Sequence, residues 1–183
     1  MSSQQKAKQR MESALEALRR EFANVRTGKA SPALLDSVRV DAYGSMVPLN
    51  QVGTVSAPEP RMLTVQPWDK SLIKKIEYAI RESDMGFNPS NDGNLIRVPV
   101  PALTEERRKE YVKMLHKLAE EGRVSIRQVR KDANDEVKAR QKKEGLSEDD
   151  IRREQGEVQK LTDQYIAKVE ELLKHKEADV MEV

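Results

Sequence analysis

The sequence predicts an α+β protein in which an elongated antiparallel three-helix bundle carries an inserted small β-rich domain. Residues 104–144 hold a helical pattern that no proline interrupts, and a helix of that length would run about 60 Å. Charged residues make up 35% of the chain and aromatic residues only 4%, a balance typical of long solvated helices. Between residues 31 and 103 the pattern changes to short alternating apolar runs, which prolines and glycines separate.

The first helix is predicted over residues 2–26. Ser2 or Ser3 can cap its start, because a side-chain oxygen there can accept a backbone N–H that has no helical partner. We expect Gly28 to adopt the left-handed conformation that commonly follows a helix end. The apolar residues recur in steps of three and four, as a bundle helix requires: Met11, Leu15, Leu18, Phe22 and Val25.

The inserted domain, residues 31–103, is predicted to contain short strands and one helix. Asp69 can cap the helix, which ends before Gly86. The prolines of the last strand pattern place that strand on a sheet edge or at its exit, since proline cannot donate a backbone hydrogen bond. The strand patterns cover residues 38–41, 46–49, 52–57, 62–66 and 96–100.

The long helix, residues 104–144, is predicted to begin at a Thr104 cap and to end at Gly145. Its apolar residues form one narrow seam, which partner helices must cover. Gly122 lies on that seam, where the absence of a side chain lets a neighbouring helix approach closely. The seam consists of Tyr111, Leu115, Leu118, Gly122, Ile126, Val129, Ala133 and Val137.

The last helix is predicted over residues 148–176, with Ser147 as its cap and acidic residues in its first turn. The short loop before it makes it antiparallel to the long helix. The three helices therefore belong to one discontinuous bundle, residues 1–30 and 104–183. The seam of the last helix consists of Ile151, Val158, Leu161, Tyr165, Val169 and Leu172.

Two short connections join the predicted domains, and we expect them to act together as a hinge. A double connection restricts twisting but allows bending, and its prolines resist collapse. The predicted hinge residues are Ala30, Ser31 and Pro32 in the first connection and Pro101, Ala102 and Leu103 in the second.

The composition excludes several classes of protein. The chain has no cysteine, so disulfides and thiolate metal sites are excluded, and the two histidines have no carboxylate cluster at ligand spacing. No nucleophile or acid–base constellation is present, so we predict a protein that is not an enzyme and needs no cofactor or metal. No apolar run approaches membrane-spanning length, and we expect a cytoplasmic monomer without membrane contact.

Candidate binding residues lie on one face of the long helix, about 100° round from the seam. Arg123, Arg127 and Arg130 are spaced by four and three residues, while Arg26 and Lys29 lie at the end of the first helix, which the antiparallel path could bring together with them. The net charge is only +2, so any RNA-binding surface must come from such local clustering. Guanidinium groups bind phosphate through paired hydrogen bonds. The alternative is a solvated face whose arginines pair with Asp132, Asp135 and Glu136.

Several motifs in this order resemble the ribosome recycling factor family across essentially the whole chain. Lys29 stands where the family often has arginine, and Ala102 stands where it often has a second proline. The motifs are residues 26–32 (RTGKASP), 96–101 (IRVPVP), 103–108 (LTEERR), 129–135 (VRKDAND) and 158–163 (VQKLTD).

The resemblance implies an L-shaped protein that binds the post-termination ribosome, with its bundle on the RNA of the large subunit. Elongation factor G with GTP would then act on the β-rich domain and separate the subunits. The RNA contacts would come from Arg26, Lys29, Arg127 and Arg130, with Arg123 as a further candidate.

A different class of function is a coiled-coil adaptor or chaperone that holds protein partners on its helical seams. That alternative predicts exposed seams and self-association, whereas a translation factor needs seams buried within its own bundle.

Overall fold

A computed structural model describes residues 2–182. The predicted α+β class is confirmed, with long helices in one compact unit (residues 2–26 and 105–181) and a small sheet domain in the other (27–104 with Glu182). The helices are α1 (Ser3–Ala23), α2 (Ile73–Arg81), α3 (Glu105–Glu144) and α4 (Glu148–Met181). The strands are β1 (Arg39–Ala42), β2 (Ser45–Pro48), β3 (Gly53–Glu59), β4 (Met62–Pro67), β5 (Ser90–Asn91) and β6 (Ile96–Pro99).

Helix α3 packs against both other helices of the bundle and runs antiparallel to them. As the residue number rises along α3, the residue numbers of its partners on α1 and α4 fall. The α1 pairs Leu18–Gly122 and Arg10–Asp132 show this order. The core also buries Tyr165, which donates a hydrogen bond of 2.6 Å to Glu12, and this burial raises the pKa of its hydroxyl to about 12. The predicted seams lie in this core, so the exposed seams that an adaptor would need are not found among residues 2–182.

The first and last helices differ in length from their predictions. Helix α1 begins at a Ser2 cap as expected but ends at Ala23, where Asn24 closes the last turn in a right-handed conformation. Gly28 has no positive φ, so its predicted role at the helix end was wrong. At the other end, α4 continues beyond residue 176 because no helix-breaking residue intervenes and Val180 adds a further buried residue to the seam.

Two glycines inside helices occupy opposite environments. A Cβ atom built on Gly122 would lie 3.2 Å from Cδ2 of Leu18 on α1, closer than ordinary van der Waals contact. The predicted close approach at Gly122 is therefore confirmed. Gly156 on α4 has nothing within 4 Å of the same position, so no contact requires a glycine there.

The second unit combines a hairpin, a four-stranded antiparallel sheet and α2. Strands β1 and β2 meet at Tyr43 (φ 53°) and Gly44 (φ 86°), the two positive φ values that a tight hairpin turn needs. The sheet has the order β3-β4-β6-β5, and its buried face shares one core with β1 and α2. Strand β6 is thus not an edge strand, but β5 covers only its first half and Pro99 is its last residue.

Candidate nucleic-acid interface

The three candidate arginines of α3 form a stripe on the side of that helix that faces α4. Arg123 contacts Glu170 of α4, and Arg130 contacts Gln159 of α4. The stripe, defined here as Arg123, Arg127 and Arg130, is displaced by one residue, or about 100°, from the buried Gly122, Ile126 and Val129.

Arg123 is the most enclosed member of the stripe. Its side chain is 17% exposed, and its guanidinium donates to Glu120 at 2.8 Å and to Glu170 at 2.5 Å. The hydrogen bond to Glu170 is the main cause of its raised pKa. The positive charge of Arg123 is therefore already paired with two carboxylates, and its guanidinium links α3 to α4.

Arg127 is held more loosely. Its side chain is 46% exposed, and Nη1 lies 3.3 Å from Oε1 of Glu120. The same carboxylate accepts the shorter bond from Arg123, which holds the pKa of Glu120 below its usual value. Arg127 thus has one exposed partner, and an exposed ion pair of this kind is weak in water.

Arg130 carries the least compensated charge of the stripe. Within residues 2–182 no carboxylate lies at ion-pair distance from it, and its neutral partner, Oε1 of Gln159, is 3.5 Å away. The amide nitrogen of Gln159 donates to Asp163 at 2.9 Å, so the Gln159 oxygen is the atom left to face Arg130. Arg130 is consequently the member of the stripe with the most capacity to bind a new anionic partner.

Two of the three partners proposed for the stripe in the solvated-face alternative, Asp132 and Glu136, pair on the other side of α3. Asp132 pairs with Arg10 at 2.8 Å and Glu136 with Lys6 at 3.2 Å, both across the interface with α1. The sequence pattern missed Glu120 and Glu170 as the actual partners. Glu120 could have been found from its spacing of three and seven residues to Arg123 and Arg127, whereas Glu170 required the α3–α4 register.

Arg26 and Lys29 fall in different compact units. Nε and Nη2 of Arg26 are shielded from solvent and have no hydrogen-bond partner, while Nζ of Lys29 lies 2.5 Å from Glu182. Arg26 lies beyond the end of α1 at Ala23, and none of the hydrogen bonds or ion pairs found within residues 2–182 joins it to the stripe.

The predicted hinge residues all lie within the second unit. Ala30 donates its N–H to Pro60 at 2.6 Å, Ser31 caps a 3₁₀ turn that begins at Pro32, and Leu103 is buried. The residues Pro101 and Ala102 are exposed, in an irregular stretch before α3.

Other kinds of site are not found in the described part of the chain. Residues 2–182 contain no group of three histidine, aspartate or glutamate side chains placed to hold a metal ion. None of the helices in that range is long and apolar enough to cross a membrane.

Comparison with known proteins gives consistent matches along the chain. The family profile described as Ribosome recycling factor matches residues 18–181. The Ribosome-recycling factor of Rubrobacter xylanophilus is 52% identical over 97% of this chain and 95% of its own length. A solution structure of the ribosome recycling factor covers 99% of this chain and 96% of its own, at 43% identity and a TM-score of 0.76. A further structure holds the T. thermophilus ribosome recycling factor and E. coli elongation factor G on the E. coli post-termination complex, and its factor aligns over 100% of both chains at 46% identity and a TM-score of 0.65.

Proposed function

Because this chain belongs to the ribosome recycling factor family, we propose that its bundle binds large-subunit RNA through phosphate groups at Arg127 and Arg130. The protein is a translation factor that binds the post-termination ribosome and, with elongation factor G and GTP, promotes separation of the subunits. The chain itself would catalyse no reaction, and it would act as a cytoplasmic monomer. The observation that carries the RNA contact is the uncompensated charge of Arg130 on an exposed helix face.

Phosphate binding suits a bundle that must lie against structured RNA. A guanidinium donates two parallel hydrogen bonds to a phosphate, and such contacts position a protein without reading base sequence. Arg127 and Arg130 lie three residues apart on one helix, so they could meet successive phosphates of a folded strand. Arg26 would extend the contact toward the start of α3, while Arg123 and Lys29 would contribute only if their present ion pairs open.

The β-rich unit offers a surface suited to elongation factor G. Tyr78 on α2 and Met46 on β2 are 63% and 65% exposed, and they line a cavity of about 580 Å³ between α2 and the β1–β2 hairpin. Lys74 and Lys75 border it. Large apolar side chains exposed beside charged ones are typical of protein interaction sites. We place the contact with elongation factor G in this cavity.

Bending between the units would occur where the chain crosses from one to the other. Those crossings lie between Arg26 and Thr27 and between Thr104 and Glu105. The stretches 30–32 and 101–103 would then move with the β-rich unit, since Ala30 donates a backbone hydrogen bond to Pro60 and Val100 donates one to Arg61.

A subunit-separation assay with purified post-termination ribosomes tests this function. Light scattering should fall when the protein, elongation factor G and GTP are all present, and it should not fall when any one of them is omitted. Ribosomes that remain joined in the complete mixture would contradict the proposed role.

Replacing Tyr78 with alanine tests the surface assigned to elongation factor G. Removal of an exposed aromatic anchor should slow separation by roughly tenfold while leaving binding of the protein to the large subunit unchanged. The matched control is Tyr43→Ala, which removes an exposed tyrosine of the same unit outside the cavity. Equal rates for Tyr78→Ala and the parent protein would remove this cavity from the contact.

A further inference from the structure

The carboxylate of Glu120 bridges two arginines of the stripe. Its Oε2 lies 2.8 Å from Nη1 of Arg123, and its Oε1 lies 3.3 Å from Nη1 of Arg127. Each oxygen thus accepts from a different guanidinium. An RNA phosphate that bridged the same two arginines would need the same position, because it too presents neighbouring oxygens to paired N–H donors.

The charges around this bridge cancel in the free protein. Arg123 and Arg127 face the carboxylates of Glu120 and Glu170, whereas Arg130 faces only the neutral amide of Gln159. The stripe is therefore neutral over its first two members and positively charged at its third. A polyanion that approaches the stripe meets one guanidinium without a carboxylate partner and two that are already paired.

We propose that Glu120 is a specificity-determining residue, whose carboxylate occupies the phosphate position between Arg123 and Arg127 until ordered RNA displaces it. This inference rests on the function proposed above and assigns a selective role to one carboxylate of that same surface. An RNA that is anchored at Arg130 presents its next phosphate at a high effective concentration, so it can displace the carboxylate. A flexible polyanion lacks that advantage, and Arg130 is the one member of the stripe that holds it.

The displacement is feasible because the pair between Glu120 and Arg127 is exposed on both sides. The side chain of Glu120 is 52% exposed, and ion pairs in such surroundings favour the closed state by only about 1.5- to 5-fold. Glu170 stays in contact with Arg123 when Glu120 leaves, so Arg127 is the guanidinium that is released. No main-chain movement is needed, since Glu120 and Arg127 belong to one continuous helix.

Exchange of Glu120 for glutamine tests the proposal through binding to two RNAs. We expect Glu120→Gln to bind flexible poly(U) roughly three- to tenfold more tightly than the parent protein, because one repulsive charge is lost and Arg127 is released. Binding to purified large subunits should improve less, so selectivity for the subunit falls. The plot of log affinity for poly(U) against log salt should steepen by about 0.7, the change for one added phosphate contact on a single strand.

The control is Glu136→Gln, which removes the same charge from α3 on the side that pairs with α1. A second control places Glu120→Gln in an Arg127→Ala background, where the gain should disappear. Equal poly(U) affinities and salt slopes for Glu120→Gln and Glu136→Gln would overturn the inference. The proposed function would still stand if the parent protein binds the large subunit. Failure of the parent protein to bind the large subunit would overturn the proposed function and this inference together.

Discussion

Exchange of Arg130 for alanine is expected to weaken binding to the large ribosomal subunit by roughly tenfold near 0.1 M salt, because a charge-assisted hydrogen bond to phosphate is lost. Arg130 has no carboxylate at ion-pair distance within residues 2–182, so its removal leaves no buried charge unpaired. The salt slope of binding should fall by about one, which makes the difference from the parent protein shrink as salt rises. Equilibrium binding measured across a salt series checks both the affinity and the slope.

The control for Arg130 is Arg20→Ala, which removes an exposed arginine from α1. Arg20→Ala lowers the net charge by the same amount as Arg130→Ala, but it should reduce the affinity for the large ribosomal subunit far less. Equal losses for the two variants would mean that binding responds to total charge and not to the stripe. Circular dichroism of both variants separates a loss of binding from a loss of folding.

Exchange of Gly122 for leucine is expected to destabilise the bundle by about 3 kcal/mol, the upper range for overpacking a core. A Cβ atom at position 122 would already lie 3.2 Å from Cδ2 of Leu18, and leucine adds three further carbons beside that contact. The helices must separate or Leu18 must leave its position, and either change exposes apolar surface. Urea unfolding followed by the helical signal at 222 nm gives the free energy of unfolding.

Gly156→Leu is the matched control for Gly122→Leu, since it makes the same exchange within a helix where nothing lies within 4 Å of the new Cβ. The free energy of unfolding should rise by about 0.5–1 kcal/mol, because leucine favours a helix more than glycine does. Similar effects at the two positions would contradict the close packing of α1 on α3.

Local patterns predicted the bundle because its helices bury residues at a regular period. Met11 and Leu15 on α1, like Leu115 and Ile126 on α3, lie in the core where their spacing placed them. The end of α1 was mispredicted because Val25 is buried although it lies beyond the helix. A buried residue continues an apolar pattern whether or not the backbone remains helical.

Sheet order could not be obtained from the same patterns. The prolines around Val98 indicated a sheet edge or the exit of a strand; Pro99 does end β6, but β6 lies between β4 and the two-residue strand β5 and is not an edge. Which strands are neighbours depends on contacts between distant segments, and so short a strand as β5 carries almost no periodic signal.

The arginine stripe was predicted as a face of α3, but the free charge within it was not. Asp132 and Glu136 are close to Arg130 in sequence, yet both face α1 and pair there. Arg123 is satisfied instead by Glu170 of α4, 47 residues away along the chain. Such partners follow from the packing register of two helices, which spacing within one helix cannot define.

The placement of the stripe on large-subunit RNA is tested most directly by cleavage from a tethered probe. The chain has no cysteine, so Lys131→Cys beside the stripe and Ser13→Cys in the groove between α1 and α3 each provide one attachment point for iron-EDTA. On post-termination ribosomes, hydroxyl radicals from position 131 should cut large-subunit RNA strongly, and those from position 13 should cut it weakly. Strong cleavage from position 13 with none from position 131 would contradict the account.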